Sequence, residues 1–197
     1  MSLRASIKTI TFWTLILAST GMFYAIYGIA QHWVLLMTDR GLTAATAAKL
    51  LTIYYSLGVI GRFVWGPLFD KYSIRGVGLT LTTIMAAMVA LLTFGGPAPT
   101  IPYLYAILFG FCYGGFIFMK PLLIAEYFGT QSLGKILGVA SAISAFLSSL
   151  APAITGFLFD LTRSYHLSLV VATAMAFFAV LMLATVRNEY ALMLMKE

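Results

Sequence analysis

Arg62 and Lys120 stand inside long apolar stretches, and they are the side chains of this sequence best placed for chemistry. A charge inside a membrane-spanning run costs at least about 2.5–3.5 kcal/mol on insertion scales, so it normally faces a cavity or a partner. A guanidinium stays charged and can grip a carboxylate through two parallel N–H bonds. For Arg62 two readings stand: it holds an anion in a cavity, or it is a structural arginine whose stem carries the charge toward an interface. Lys120 precedes Pro121, whose ring frees a backbone carbonyl. It either lines the same cavity as a second cation or snorkels to the headgroups, and its long stem favours the headgroups. Tyr24, Tyr27 and Gln31 lie at helical spacing and are candidate lining residues of that cavity. His32, beside Gln31, could relay a proton, although a lone histidine near an interface is more often structural.

Other chemistries lack their residues. Two distant histidines and one cysteine make no metal-ligand cluster. There is no phosphate-binding glycine loop and no Ser–His pair, so neither an enzyme nor an ATP-driven pump is expected, and no cofactor is implied. Cys112 has no partner for an intrachain disulfide and reads as a small buried hydrophobe.

A second group of charges is short and local. Asp70-Lys71-Tyr72-Ser73-Ile74-Arg75 links two apolar runs, and Glu126 and Lys135 flank another link. With Gly66, these residues form a candidate conformational-switch set: Gly66, Asp70, Lys71, Arg75, Glu126 and Lys135. Their acids and bases can pair across one face and hold one state of a moving pair of helices.

The elements that must position these groups are membrane spans. Hydrophobic residues make up 61% of the 197 residues and charged ones 9%, against about 25% charged in a soluble domain. A hydrocarbon core about 30 Å thick needs roughly 20 apolar residues of helix. Such blocks occur at Thr9 to Thr38, Leu50 to Phe69, Ile136 to Phe159 and Ser164 to Val186. The uncharged stretch from Gly76 to Met119 is split in two by the Gly- and Pro-rich segment 95–102. Lipid offers the backbone no partners, and runs such as Leu79 to Leu92 do not alternate as barrel strands would. The expected fold is therefore an all-α membrane protein of six transmembrane helices.

Helix ends carry a repeat. Gly66-Pro67-Leu68-Phe69-Asp70 and Gly156-Phe157-Leu158-Phe159-Asp160 both read G-x-L-F-D, at the end of the middle helix of a three-helix group. The first ends inside and the second outside, which predicts two inverted three-helix repeats, 1–97 and 98–197, forming one domain. Inverted repeats are a mark of secondary transporters. With the N-terminus inside, the cytoplasmic flanks hold Arg4, Lys8, Lys71, Arg75, Lys135, Arg187 and Lys196, and the outer flanks hold Arg40, Lys49 and Arg163. This bias predicts both termini in the cytoplasm and accounts for the net charge of +6 without a nucleic acid.

These residues also resemble a known family. Gly61-Arg62-x-x-x-Gly66-x-Leu68-x-Asp70-Lys71, followed by Arg75, resembles the major facilitator signature between the second and third helices of a half, G-x-L-x-D-R-x-G-R-[KR]. Ala125-Glu126-Tyr127-Phe128-Gly129-Thr130 with Gly134-Lys135 resembles the segment between its tenth and eleventh helices. Pro152 with Gly156-x-Leu158-x-Asp160 resembles the end of its eleventh. The chain is thus similar to the C-terminal six-helix half, and most similar to the oxalate/formate antiporter and monocarboxylate transporter branch. The resemblance implies a multi-pass protein of the plasma membrane (the inner membrane in a bacterium) that moves small organic anions by alternating access. A proton or counter-anion, and a second six-helix half, either a copy of this chain or an N-terminal half, are implied partners. In that branch an arginine of the eighth helix contacts the substrate carboxylate, and Arg62 matches its position. Ser73 stands where the signature has glycine, and Ile136 to Phe159 lacks the lysine that oxalate transporters carry there. Two other classes stay open: a non-transporting membrane subunit, and a transporter of non-anionic solutes.

Overall fold

In the computed structural model, which describes residues 1–186, six helices are long and apolar enough to cross a bilayer. They are α1 (Ile10–Ala30), α2 (Ala44–Lys71), α3 (Ile74–Phe94), α4 (Thr100–Phe128), α5 (Leu133–Thr162) and α6 (His166–Thr185). Arg187 and Lys196, used in the charge count, lie outside the described residues.

Capping fixes several boundaries. Thr9 and Thr43 accept N–H bonds from Phe12 and Thr46, opening α1 and α2. Ser73, the departure from the signature glycine, opens α3 the same way: its hydroxyl accepts the Gly76 N–H at 3.2 Å. The link between α2 and α3 is therefore only Tyr72 and Ser73, with Lys71 lying over the Tyr72 ring. Gly129 ends α4 at φ 75°, in the region that favours glycine. At the opposite end of the bundle, the Arg40 guanidinium donates to the Leu92 carbonyl near the end of α3, where a cation meets the helix dipole favourably.

Two spans are not uniform. α4 contains a π-helical turn at Tyr105–Phe109, stabilised by stacking of Tyr105 on Phe109 and on Trp33. α5 is interrupted at Ser149, between Leu133–Ser148 and Leu150–Thr162, although Ser149 keeps right-handed helical dihedrals. Pro152 removes one helix bond there. Ser144 and Ser148 turn their hydroxyls back onto the carbonyls of Ala140 and Ser144, a habit that bends helices.

α1 packs against α6 and α5, α4 against α3 and α2, and α3 against α6. Exchanging the first three helices for the last three maps these pairings onto themselves. The α2–α4 seam is the tightest. A Cβ on Gly110 would stand 2.5 Å from the Tyr54 carbonyl, and one on Gly114 or Gly61 would run into the opposite backbone. Small residues at helical spacing let backbones approach this closely. The Trp65 indole N–H then bonds to the Phe111 carbonyl at 3.0 Å across the same seam. Between α3 and α6 the hydroxyls of Thr93 and Thr173 meet at 2.8 Å, so their polarity is satisfied inside the bundle. In the most apolar windows α1 is 78% buried, whereas α2 and α5 are 28% buried, which leaves the faces of these two spans open.

Candidate functional site

Three helices each turn one face toward a cavity of about 360 Å³. α1 supplies Phe23 and Tyr27, α4 supplies Phe116, Ile117, Lys120 and Pro121, and α5 supplies Leu137, Ser141, Ser144 and Ala145. The spacings are four or close to multiples of a helical turn, so each set falls on one stripe of its helix. Phe23 stacks on Tyr27 at 5.6 Å and meets Phe116 edge-on at 5.3 Å, which ties the α1 and α4 walls together.

The one charged side chain in this lining is Lys120. It is 8% exposed, and its amine donates to the Ser144 hydroxyl at 2.9 Å and to the Ala140 carbonyl at 3.2 Å. Ser144 in turn donates to the Ala140 carbonyl at 2.7 Å. Lys120 lies eight residues from the end of α4, about 12 Å at 1.5 Å per residue. Its partners are seven and eleven residues into α5, about 10 and 16 Å. The amine is thus held across the bundle at mid-depth, and the snorkelling reading favoured by its long stem is corrected. Two hydroxyl-bearing turns of α5 offer acceptors closer than the headgroups. An ammonium has three N–H donors, and these two bonds leave one uncommitted.

Arg62 is placed differently. It is exposed on α2, does not line this cavity, and makes no hydrogen bond or ion pair within the described chain. It lies on the open side of the α2–α4 seam, within electrostatic reach of Tyr113. Tyr113 stacks on Tyr54 at 5.4 Å. Of the three candidate lining residues on α1, only Tyr27 reaches the cavity; Tyr24 is buried and Gln31 is exposed past the end of α1.

The switch residues gather at the end of the bundle that carries the α2–α3 and α4–α5 links. Asp70, Lys71, Glu126 and Lys135 are exposed, and among the described residues they form no ion pair with one another. Arg75 instead donates to the Ala184 carbonyl, tying the start of α3 to the end of α6. Gly66 has nothing within 4 Å of where a Cβ would stand, so nothing among the described residues requires glycine there. A hollow of about 460 Å³ between α2 and α3 has no charged lining residue.

At the other end, His32 joins three segments. Its Nε2 lies 3.0 Å from the Pro152 carbonyl and must therefore donate, which leaves Nδ1 of the neutral ring to accept from the Tyr165 hydroxyl at 3.4 Å. Burial against Phe159, then the charges of Asp39 and Asp160, hold the Tyr165 phenol above its ordinary range, so it remains a donor. Phe23, Phe116, Ser141 and Ser144 were not singled out in the sequence. The available signal was Ser141, Ser144 and Ser148, three hydroxyls at spacings of three and four in an apolar helix.

A six-helix membrane bundle with a central, partly polar cavity is the build of a solute carrier. The chain matches the family described as the Major Facilitator Superfamily over residues 13–192, and it belongs to that superfamily. It is a transporter family and not a family of enzymes. The chain is 28% identical over 178 residues to Monocarboxylate transporter 12 of Mus musculus, covering 87% of this chain and 36% of that protein. It is 27% identical over 144 residues to Apicoplast pyruvate carrier 1 of Toxoplasma gondii, covering 70% and 26%. Over 121 residues it is 31% identical to Riboflavin transporter MCH5 of Saccharomyces cerevisiae, covering 60% and 23%. The chain spans about a third of the length of the first of these relatives. In fold it is similar to the crystal structure of FucP, a Major Facilitator Superfamily transporter in the outward conformation. That likeness has a TM-score of 0.70 at 17% identity and covers 94% of this chain and 45% of the other.

Proposed function

We propose that this chain is a C-terminal-type six-helix half of a secondary transporter that moves small organic anions, such as monocarboxylates, oxalate or formate, by alternating access. The observation that carries the reading is Lys120: a buried amine at mid-depth, with no carboxylate partner among the described residues and one uncommitted N–H, in the lining of a 360 Å³ cavity. A buried cation unpaired among the described residues, inside a membrane span, is best satisfied by an anion that arrives with the substrate. The similarity to proteins named as monocarboxylate and pyruvate carriers supports the same class.

In this reading the repeats 1–97 and 98–197 rock together as one unit of a two-unit carrier. The open faces of α2 and α5 take a second six-helix half, either an N-terminal-type half or a second copy across a two-fold along the membrane normal. Arg62, on that open side, completes the anion site from α2 once the second half encloses it. Gly66, Asp70, Lys71, Arg75, Glu126 and Lys135 form the face that re-pairs as the halves move. Both termini face the cytoplasm, the membrane is the plasma membrane (or a bacterial inner membrane), and exchange is against a counter-anion or coupled to a proton.

The test is uptake of radiolabelled pyruvate, oxalate and formate into proteoliposomes holding the purified chain, alone and with an N-terminal-type half. Saturable uptake that is lost in Lys120→Gln and accelerated by anion preloaded inside is expected. A chain that binds its partner but moves none of these anions in any assembly would be a non-transporting subunit. The similarity to a protein named as a riboflavin transporter, with the aromatic wall of Phe23, Tyr27 and Phe116, favours one further reading, a neutral flat solute. Riboflavin uptake insensitive to Lys120→Gln would establish it.

A further inference from the structure

The groove of about 460 Å³ between α2 and α3 is walled by two stripes of side chains. α2 gives Trp65, Leu68 and Tyr72, and α3 gives Ser73, Gly76, Val77 and Thr80, at spacings that keep each set on one face. Each stripe runs over a separation of seven residues, about 10 Å of helix, against about 15 Å for the hydrocarbon of one leaflet. The groove shares no lining residue with the Lys120 cavity. A Cβ on Gly76 would meet only Ser73 of its own turn and no atom of α2 within 4 Å, so the two walls stand apart at that level. Thr80 donates to the Gly76 carbonyl at 3.0 Å, which satisfies its hydroxyl and leaves the depth of the groove apolar.

The mouth of the groove has another character. The α2–α3 link stands there with its exposed charges, at the level where a span meets the headgroups. The Lys71 ammonium lies 5.4 Å from the centre of the Tyr72 ring, so a cation stands at the edge of the groove. Asp70 is two positions from Tyr72, a spacing at which helical side chains do not face each other, and it forms no ion pair with Lys71 among the described residues. Arg75 is committed to the Ala184 carbonyl of α6. The Ser73 oxygen accepts the Gly76 N–H, and its own hydrogen has no acceptor among the described residues. An apolar slot with one cation and one uncommitted hydroxyl at its headgroup end is complementary to a lipid tail below a phosphate.

We infer that this groove binds a phospholipid of net negative charge. One acyl chain lies along Trp65, Leu68, Val77 and Thr80, and the phosphate rests on the Lys71 ammonium and the Ser73 hydroxyl. An apolar slot does not hold water, and in a bilayer hydrocarbon fills it. One lysine beside an anionic headgroup contributes about fivefold in affinity. A zwitterionic headgroup brings its own cation toward Lys71 and loses that gain. The lipid braces the link that carries Asp70 and Lys71, and it is not cargo of the Lys120 cavity.

The test uses Trp65 as its own reporter, with Trp13→Phe and Trp33→Phe leaving it the sole indole. The chain is reconstituted in phosphatidylcholine vesicles with a rising fraction of brominated phosphatidylglycerol or brominated phosphatidylcholine, since bromine quenches an indole that it touches. Phosphatidylglycerol should quench at about fivefold lower fraction. Lys71→Gln should remove that preference, Lys8→Gln on the same side of the bundle should keep it, and Thr80→Phe should fill the slot and weaken quenching by both lipids. Native mass spectrometry of the chain with all three tryptophans, from detergent holding equal parts of the two lipids, reads the same preference and its loss in Lys71→Gln without depending on the indole variant. Equal quenching by the two lipids, or equal losses in Lys71→Gln and Lys8→Gln, would overturn the site. Quenching that vanishes when an N-terminal-type half is added would assign the groove to that half instead.

Discussion

Lys120→Met asks whether the buried amine serves the ligand or the fold. Methionine has a similar unbranched reach, so the α4–α5 wall stays filled. Removing the amine withdraws a donor from Ala140 and Ser144, but the Ser144 hydroxyl still donates to the Ala140 carbonyl at 2.7 Å. No acceptor is orphaned, and a mid-membrane charge with no ion-pair partner among the described residues is relieved. Stability should therefore hold or rise. Binding should move the other way. An anion that loses its charged partner in a dry site typically loses about 3–5 kcal/mol, roughly 150- to 5,000-fold in affinity. The assay pairs pyruvate binding with thermal unfolding in the same detergent, on assemblies matched for composition. Affinity within about threefold of the parent would remove Lys120 from the anion site. An unfolding temperature lowered by many degrees would mean that the amine staples α4 to α5, and that the hydroxyl bond does not cover for it.

Arg62→Gln should weaken anion binding about 100-fold in the two-half assembly, with Arg62→Lys recovering only part because an ammonium lacks the planar fork; equal binding in all three would leave Arg62 a surface residue. Asp70→Asn should slow anion exchange with little change in affinity, and unchanged exchange rates in proteoliposomes would reduce Asp70 to a solvated loop residue. Gly114→Ala should cost about 1–3 kcal/mol of stability, because its Cβ runs into the Gly58 carbonyl, while Gly66→Ala meets open space and should be neutral or slightly stabilising in thermal unfolding. His32→Ala should cost about 0.5–1.5 kcal/mol by removing the bond to the Pro152 carbonyl, with His32→Gln partly restoring the unfolding temperature through its amide donor.

The spans were legible because lipid makes the rule simple: roughly 20 apolar residues with few charges, bounded by charged links or, between α3 and α4, by a Gly–Pro cluster. Segment 95–102 marked the α3–α4 link because clustered glycines and prolines disfavour a continuous helix, whereas single prolines such as Pro67 and Pro121 are carried inside α2 and α4. The glycines of the α2–α4 seam announced close packing, although not which helices would meet. The site was legible only in part. Lys120 stood out as a charge in an apolar run, but its direction depended on Ser144, 24 positions away on another helix. Stem length and depth pointed to the headgroups; a hydroxyl pair at hydrogen-bond distance decided otherwise. Arg62 was found by the same rule, yet its helix turns that face away from the Lys120 cavity. Ser73 looked like a defect in a signature and is the cap that opens α3.

The exchange of the two helix triplets explains where the cavity lies. Under it, the α2–α4 contact corresponds to the contact of α5 with α1, and the two are built from different residues. Gly58, Gly61, Gly110 and Gly114 bring α2 and α4 together backbone to backbone, which leaves no room for a ligand along that seam. The corresponding α1–α5 seam runs along both halves of α5; toward the Arg40 end a Cβ on Gly28 would stand 3.0 Å from the Thr155 hydroxyl oxygen, and His32 reaches the Pro152 carbonyl. Before the break at Ser149 the serine-rich half of α5 runs past Phe23 and Tyr27, with the cavity between them. Lys120 reaches into that opening from α4 and finds its acceptors on the far wall. The seam closed by glycines and the one lined by serines thus differ, and the cavity that holds Lys120 lies on the α5 side.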